Sequence, residues 1–77
     1  MSKAPAIVIE ARGHRCPTPT LRLQRAVRSA PAGAELVLLA DDPLARIDAP
    51  HYAASAGLEL LGVDIEDGLI RIRVRKP

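Results

Sequence analysis

The amino-acid sequence predicts an α/β fold, a two-layer α+β sandwich in which a four-stranded mixed sheet carries two helices on one face. Three patterns support this prediction: short aliphatic runs of strand length, apolar residues at helical spacing between them, and a C-terminal alternation interrupted by Asp67-Gly68. The expected element order is β-α-β-α-β-β. Because the chain has 77 residues, we expect residues 1–77 to form one domain.

The first strand and the first helix are predicted on either side of a turn. Residues 6–10 read AIVIE, which is typical of a strand. A helix is predicted from Pro17 to about Ser29, because apolar residues recur at helical spacing with arginines on the other side. Pro17 and Pro19 fit only in its first turn, so Cys16 lies at the N-cap or next to it. The predicted buried stripe consists of Leu23, Ala26, Val27 and Ala30.

A second strand and a second helix follow. Residues 36–40 read LVLLA, an apolar run typical of a buried central strand, and the strand-helix-strand order implies a right-handed parallel crossover. The second helix is predicted to begin with Asp48 as its N-cap, to keep Pro50 in its first turn and to stop at Gly57. Residues 44–47 are predicted to be a loop.

The C-terminal segment predicts a β-hairpin. Asp67-Gly68 is a two-residue turn signal between two alternating runs, and this turn sets the register of the two strands. That register places apolar pairs on one face and an ion pair on the other. The expected pairs are Ile65 with Ile70, Val63 with Ile72, and Asp64 with Arg71.

Composition and the cysteine count restrict the classes of function. The chain has no Trp, no Phe and one Tyr, so the aromatic stacking that binds single-stranded nucleic acid is missing, and we expect no direct nucleic-acid binding. No stretch reaches membrane-spanning length, and the apolar run after residues 1–5 is too short for a signal peptide. A single cysteine also favours a cytoplasmic protein, because small secreted domains usually carry paired cysteines.

Cys16 lies inside a basic segment. No acidic residue occurs between Glu10 and Glu35, and the run is either a solvated helix face or a setting for a reactive thiol. A thiolate at a helix N-terminus gains from free backbone N–H groups and from nearby guanidinium groups. We therefore expect the pKa of Cys16 to lie below the free-thiol value of about 8.5. The arginines of this segment are Arg12, Arg15, Arg22, Arg25 and Arg28.

Residues 12–19 read RGHRCPTP and contain the pattern R-G-x-x-C-P-x-P. With this motif the sequence resembles the TusA/SirA-like sulfur-carrier family. The D-D-P of residues 41–43, the D-A-P of residues 48–50 and Gly57 extend the resemblance over nearly the whole chain. The resemblance implies that Cys16 accepts a persulfide sulfur from a cysteine desulfurase or a rhodanese-like donor. An acceptor protein then takes the sulfur for transfer-RNA thiolation, cofactor sulfuration or sulfur oxidation.

The remaining residues of these motifs have supporting roles in this interpretation. Leu21 either packs under the end of the sheet or stays exposed beside the sulfur as a partner contact. His14, Cys16 and His51 are too few and wrongly spaced for a zinc site, so we expect no metal and no cofactor. The supporting residues are Arg12, Arg15, Arg22 and Arg25, which tune the sulfur and steer partners, Gly13, Pro17 and Pro19 of the loop, and Asp41, Asp42 and Pro43 of the adjacent turn.

Two other interpretations stay open at this point. One is a non-catalytic regulatory or RNA-binding module that uses the basic helix and the cations of the last strand. The other is an intermolecular disulfide through Cys16. For the sulfur carrier we expect a monomeric, persulfide-carrying component rather than a stand-alone turnover enzyme, because a dithiol mechanism needs a second cysteine. The cations of the last strand are Arg71, Arg73, Arg75 and Lys76.

Overall fold

A four-stranded mixed sheet with two helices on one face forms the fold in the computed structural model, which describes residues 6–77. Across the sheet the order is β1-β2-β4-β3, and β1 runs parallel to β2 while the other neighbours are antiparallel. The predicted fold class and element order are confirmed. The prediction that residues 1–5 belong to no signal peptide lies outside the described residues. The elements are β1 (Ile7–Glu10), α1 (Thr18–Ser29), β2 (Glu35–Ala40), α2 (Ala45–Ser55), β3 (Glu59–Glu66) and β4 (Leu69–Arg75).

The core lies between the covered face of the sheet and the two helices. Alternate residues of β2 and β4 point into it, as strand geometry requires. From α1 the core receives Leu23 and Val27, whereas Ala26 of the predicted stripe is only half-buried. The fully buried residues of α2 are alanines, whose small side chains allow the helix to pack closely on the sheet, and Tyr52 packs against the core while partly buried. The buried strand residues are Leu36, Leu38 and Ala40 of β2 and Ile70, Ile72 and Val74 of β4.

Helix α1 is held at both of its ends. Pro17 is the N-cap residue, and its carbonyl accepts the N–H of Leu21 at 2.9 Å. At the other end the Lys76 ammonium donates to the carbonyls of Val27 (2.8 Å) and Ala30 (2.7 Å). These carbonyls belong to the last turn, where a helix leaves its acceptors without partners. The C-terminal residues of the chain therefore fix the position of the helix that follows Cys16.

Helix α2 begins at Ala45, so the predicted start at Asp48 is wrong and residues 44–47 are not a loop. The cause is Asp42, whose carboxylate accepts the N–H of Leu44 at 3.1 Å and whose carbonyl accepts the N–H of Ala45 at 2.9 Å. The N-cap residue is Leu44, and the carboxylate that holds it lies six residues before the predicted N-cap Asp48. Pro50 lies inside the helix rather than in its first turn, and it removes one hydrogen bond of the helix.

The hairpin between β3 and β4 has the predicted turn and register. Asp67 (φ 50°) and Gly68 (φ 82°) both adopt the left-handed conformation that a two-residue hairpin turn of this kind needs. All three predicted pairs face each other. Ile70 is buried, but its partner Ile65 stays exposed because β3 is an edge strand.

The ion pair of the hairpin differs from the prediction. Asp64 faces Arg71 across the strands, yet its carboxylate pairs with Arg73 at 3.9 Å. The reason is Gly62, which lies opposite Arg73 and leaves room for the guanidinium group directly over its Cα. The guanidinium of Arg73 is thereby directed along β3 toward Asp64.

Candidate functional site

Cys16 lies in the loop between β1 and α1, directly before the N-cap residue Pro17. Of the two placements that the sequence left open, the position next to the N-cap is therefore the observed one. The thiol residue is half-buried and packs against the hydrophobic core, and the Cys16–Pro17 peptide bond is cis. A backbone hydrogen bond from Thr18 to the carbonyl of Arg15 (2.9 Å) closes the turn around Cys16.

The loop is tied to the end of β2 by Asp41. Both carboxylate oxygens of Asp41 accept the backbone N–H of Gly13, at 2.9 Å and 3.1 Å. Gly13 has a φ of 84°, a left-handed conformation that residues with a Cβ rarely adopt. Gly13 of the loop and Asp41 of the adjacent turn, both predicted to support the site, are thus in direct contact.

Asp42 holds the backbone of Cys16 itself. Its Oδ2 accepts the N–H of Cys16 at 2.8 Å, while its Oδ1 accepts the N–H of Leu44 at 3.1 Å. These two N–H groups, that of Cys16 first, lower the pKa of the Asp42 carboxyl, so the acceptor is a carboxylate at neutral pH. One side chain therefore connects the cysteine loop to the start of α2. The sequence predicted that Asp42 shapes the site but gave no sign of this bond.

The pKa of Cys16 is raised, so the predicted lowering is wrong. Partial burial is the largest cause, and the carboxylates of Asp42 and Asp48 add to it. Most of the expected backbone donors are not free: Pro17 and Pro19 carry no N–H, and the N–H groups of Cys16 and Thr18 already have acceptors. The start of α1 therefore gives a thiolate much less stabilisation than a helix without these prolines would.

The arginines of the basic segment do not gather around the sulfur. Arg12 forms a two-pronged ion pair with Glu10, with Nε at 2.8 Å from Oε1 and Nη2 at 2.9 Å from Oε2. Arg15 is exposed, and its charge lowers the pKa of Asp42 rather than that of the thiol. Arg22 and Arg25 line a groove between α1 and β1. None of these arginines is among the groups that shift the pKa of Cys16, so the predicted tuning of the sulfur by arginines finds no support here.

Leu21 stands exposed in the same groove as these two arginines. Its side chain is 55% exposed, so it does not pack under the end of the sheet. The groove has a volume of about 530 Å³, and its other lining residues include Ile9, Thr18 and Ala26. The groove thus combines one exposed apolar side chain with two arginines.

A different cavity opens beside Cys16. It has a volume of about 300 Å³, and Pro17, Leu44, Ile47 and Asp48 line it together with the cysteine. Three of these residues come from the N-cap and the first turn of α2. Leu44 and Ile47 were not predicted as site residues, because residues 44–47 were expected to form a loop. The signal for them in the sequence is the three-residue spacing of two large apolar residues after Pro43.

The cations of the last strand are mostly engaged within the chain. Arg73 pairs with Asp64, Arg75 pairs with Glu59 at 3.6 Å, and Lys76 caps α1. A basic face with these partners offers little free charge to a phosphate backbone. Within residues 6–77, no group of three or more His, Cys, Asp or Glu side chains is placed to hold a metal ion. In the same part of the chain, no helix has the length and apolar character needed to cross a membrane.

Comparison with known proteins finds relatives that match most of this chain. The sulfur carrier protein TusA of Pseudomonas savastanoi pv. phaseolicola is 39% identical over 69 residues, which cover 90% of this chain and 82% of that protein. The sulfur carrier protein TusA of Pseudomonas entomophila is 38% identical over 68 residues, which cover 88% of this chain and 85% of that protein. A crystal structure of a SirA-like protein from Desulfitobacterium hafniense superposes with a TM-score of 0.79 and 26% identity, covering 90% of this chain and 95% of that chain.

These relatives favour sulfur relay and give no support to the RNA-binding alternative. The family described as "Sulfurtransferase TusA" matches residues 7–76, which include every strand and helix and the whole cysteine loop. The chain belongs to the sulfurtransferase TusA family, and its function is that of a sulfur carrier.

Proposed function

We propose that Cys16 is the residue that carries the sulfur, taking it from a donor protein and passing it to an acceptor protein. The observation that supports this most is the placement of the only thiol of the chain at the mouth of an open cavity, with its backbone held by Asp42. An open cavity gives a second protein access to the sulfur. A fixed backbone keeps the sulfur in one position when the partner arrives.

The proposed exchange needs no external oxidant or reductant. The Cys16 thiolate attacks the outer sulfur of a donor persulfide, a new S–S bond forms at Cys16, and the S–S bond of the donor breaks. The donor cysteine leaves as a thiolate with the electron pair and takes up a proton, which balances the proton lost by the Cys16 thiol. Delivery repeats these steps with the acceptor thiolate as the nucleophile and Cys16 as the leaving group.

The supporting residues fall into two groups in this proposal. The first group positions the sulfur: Gly13 and Asp41 fix the loop, Asp42 fixes Cys16, and Pro17, Pro19 and Pro43 stiffen the adjoining turns. The second group receives a partner, and it consists of Leu21, Arg22 and Arg25 in the groove of α1. Arg12 and Arg15 contribute positive potential at the edge of the loop.

The sulfur relay requires a donor and an acceptor protein. We propose a cysteine desulfurase or a rhodanese-like protein as the donor, and an acceptor in transfer-RNA thiolation, cofactor sulfuration or sulfur oxidation. The protein acts in the cytoplasm as a one-domain monomer that carries sulfur between enzymes and has no turnover alone. A reducing compartment suits it, since a single thiol persists there without forming disulfides.

Intact mass spectrometry after incubation with a cysteine desulfurase and cysteine tests this proposal. The expected result is one added sulfur of about 32 Da per chain, removed by a reductant such as dithiothreitol. Cys16→Ser abolishes the adduct and leaves the fold unchanged. The absence of an adduct on the wild-type chain, under conditions that load a known sulfur carrier, would overturn the assignment of Cys16.

A further inference from the structure

Two large apolar side chains stand in solvent beside the thiol. Leu44 is 58% exposed and Ile47 is 64% exposed, and both line the cavity on which Cys16 opens. Three-residue spacing places them on the same side of α2. Neither side chain is needed for the core, because α2 packs on the sheet through Ala45, Ala49 and Ala53.

The charge of this cavity is negative. Asp48 lines it, and the Asp42 carboxylate, which accepts the N–H of Cys16, lies close enough to raise the pKa of the thiol. No lysine or arginine is among its lining residues in the described part of the chain. Of the nearby basic residues, Arg12 pairs with Glu10 and Arg22 of α1 donates to the carbonyl of Glu10 at 3.4 Å. Arg15 is exposed, its charge acts on Asp42, and it does not line this cavity.

A negative surface is a poor setting for sulfur exchange. In both directions of transfer the sulfur of Cys16 carries negative charge, as the attacking thiolate or as the leaving thiolate. Burial and the two carboxylates raise the pKa of the thiol, so the chain alone disfavours that charge. A cation on the molecule that exchanges sulfur with Cys16 would offset this penalty inside the cavity, where no lysine or arginine of residues 6–77 is among the lining residues.

We propose that the cavity formed by Pro17, Leu44, Ile47 and Asp48 receives the reacting-cysteine segment of a sulfur-exchange partner, and that this segment carries an apolar residue and a lysine or arginine beside its cysteine. Leu44 and Ile47 cover the apolar residue and exclude water from the exchanging sulfurs. Asp48 pairs with the cation, which thereby lies close to the sulfur of Cys16. This inference rests on the proposed function, because it assumes that Cys16 exchanges sulfur with a protein.

Short peptides that carry a cysteine as a mixed disulfide with an aryl thiol test the proposal on the full-length chain. Cys16 attacks the peptide sulfur, the bond between the peptide and the aryl group breaks, and a Cys16–peptide disulfide forms. The aryl thiolate leaves with the electron pair and is measured by its absorbance, while the thiol proton goes to the buffer. The three peptides differ only in the two residues that precede the cysteine, which are Leu-Lys, Leu-Glu or Gly-Lys.

We expect the Leu-Lys peptide to react about fivefold faster than the Leu-Glu peptide and about fivefold faster than the Gly-Lys peptide at low salt. Asp48→Asn removes the preference for lysine over glutamate, and Leu44→Ser with Ile47→Ser removes the preference for leucine over glycine. A change in the pKa of Cys16 alters the rates of all three peptides with a given variant by the same factor. The ratio of the reaction rates of two peptides is therefore independent of that change. The matched control, Leu60→Ser with Ile65→Ser on the exposed part of β3, keeps both preferences.

Equal rates for the three peptides on the wild-type chain would overturn the proposal, and so would a preference that survives in the Asp48 and Leu44/Ile47 variants. The mass assay for sulfur loading separates this inference from the proposed function. A chain that loads normally but shows no peptide preference refutes only the docking cavity. A chain that never accepts sulfur refutes the proposed function itself.

Discussion

The N–H of Cys16 donates to the Asp42 carboxylate at 2.8 Å, so the residue that fixes the cysteine also places a negative charge close to its sulfur. This relationship separates two properties that are often expected together in a reactive cysteine. The position of the sulfur is well defined, whereas its thiolate form is disfavoured until a partner arrives.

Alkylation of Cys16 should show a midpoint above the ordinary thiol value of about 8.5. Burial and the carboxylates of Asp42 and Asp48 raise the pKa, so only a small fraction of the thiol is ionised at pH 7. Asp48→Asn removes one cause and should increase the alkylation rate at pH 7, whereas Glu66→Gln, on the exposed end of β3, should not. The rate of iodoacetamide reaction against pH measures this. A wild-type midpoint below the ordinary value would mean that the helix start and the arginines outweigh burial.

Asp42→Asn should lower the stability at neutral pH and flatten its dependence on acid. The folded-state pKa of Asp42 lies below its unfolded value, so its contribution is present above an unfolded pKa of about 3.9 and is lost as the pH falls through the folded value. The denaturant midpoint at pH 7 and at pH 3 measures this, with Glu66→Gln as the control. If the variant and the wild type differed equally at both pH values, the charge of Asp42 would not be the source of the stability.

Reversal of the groove charges should slow transfer between proteins and leave small-molecule loading intact. Arg22→Glu with Arg25→Glu should reduce the rate of transfer to or from a protein partner by about tenfold at low ionic strength, and the loss should shrink with added salt. Loading by a small polysulfide should stay within about twofold, because neither arginine lies in the cavity of Cys16.

Arg28→Glu with Arg71→Glu makes the same change in net charge outside the groove and is the matched control. Stopped-flow transfer from a loaded donor at several salt concentrations separates the two variants. Equal slowing of both would point to the net charge of the chain rather than to the groove.

Thr20→Val should raise the free energy of unfolding by about 1 kcal/mol. Thr20 is 8% exposed, and its hydroxyl is buried without a hydrogen-bond partner among residues 6–77. Valine keeps the shape and removes the unpaired polar group, so the cost of burying that group disappears. Thr18→Val, at a half-buried position of the same helix, is the comparison and should give no gain. Chemical denaturation shows the difference, and a loss of stability in Thr20→Val would reveal a partner for the hydroxyl.

The sequence predicted those parts of the fold that depend on local patterns. Alternation and the Asp67-Gly68 turn defined the hairpin register, and helical spacing defined the buried side of α1. The start of α2 was not predictable in the same way. Its N-terminal carboxylate, Asp42, lies before a proline and outside the helix, whereas Asp48 has the usual appearance of a cap.

The same distinction between local and long-range features applies to the candidate site. Cys16 and the loop around it were visible in the motif, because the motif is contiguous. Its electrostatic setting was not, since the carboxylates of Asp42 and Asp48 arrive from a distant turn and another helix. Arg12 pairs with Glu10, Arg22 and Arg25 line another groove, and the charge of Arg15 acts on Asp42. Arginines close to Cys16 in sequence therefore led to the wrong direction for its pKa.

The chemical reactivity of Lys76 reports how firmly the C-terminal end of α1 is anchored. It is the only lysine within residues 6–77, and its ammonium group is bound by the carbonyls of Val27 and Ala30. An amine held in this way acylates slowly, because the reagent reaches it only when the contact opens. Covalent labelling of Lys76, followed by peptide mapping, would therefore measure how often the far end of the helix detaches while Cys16 reacts at the near end.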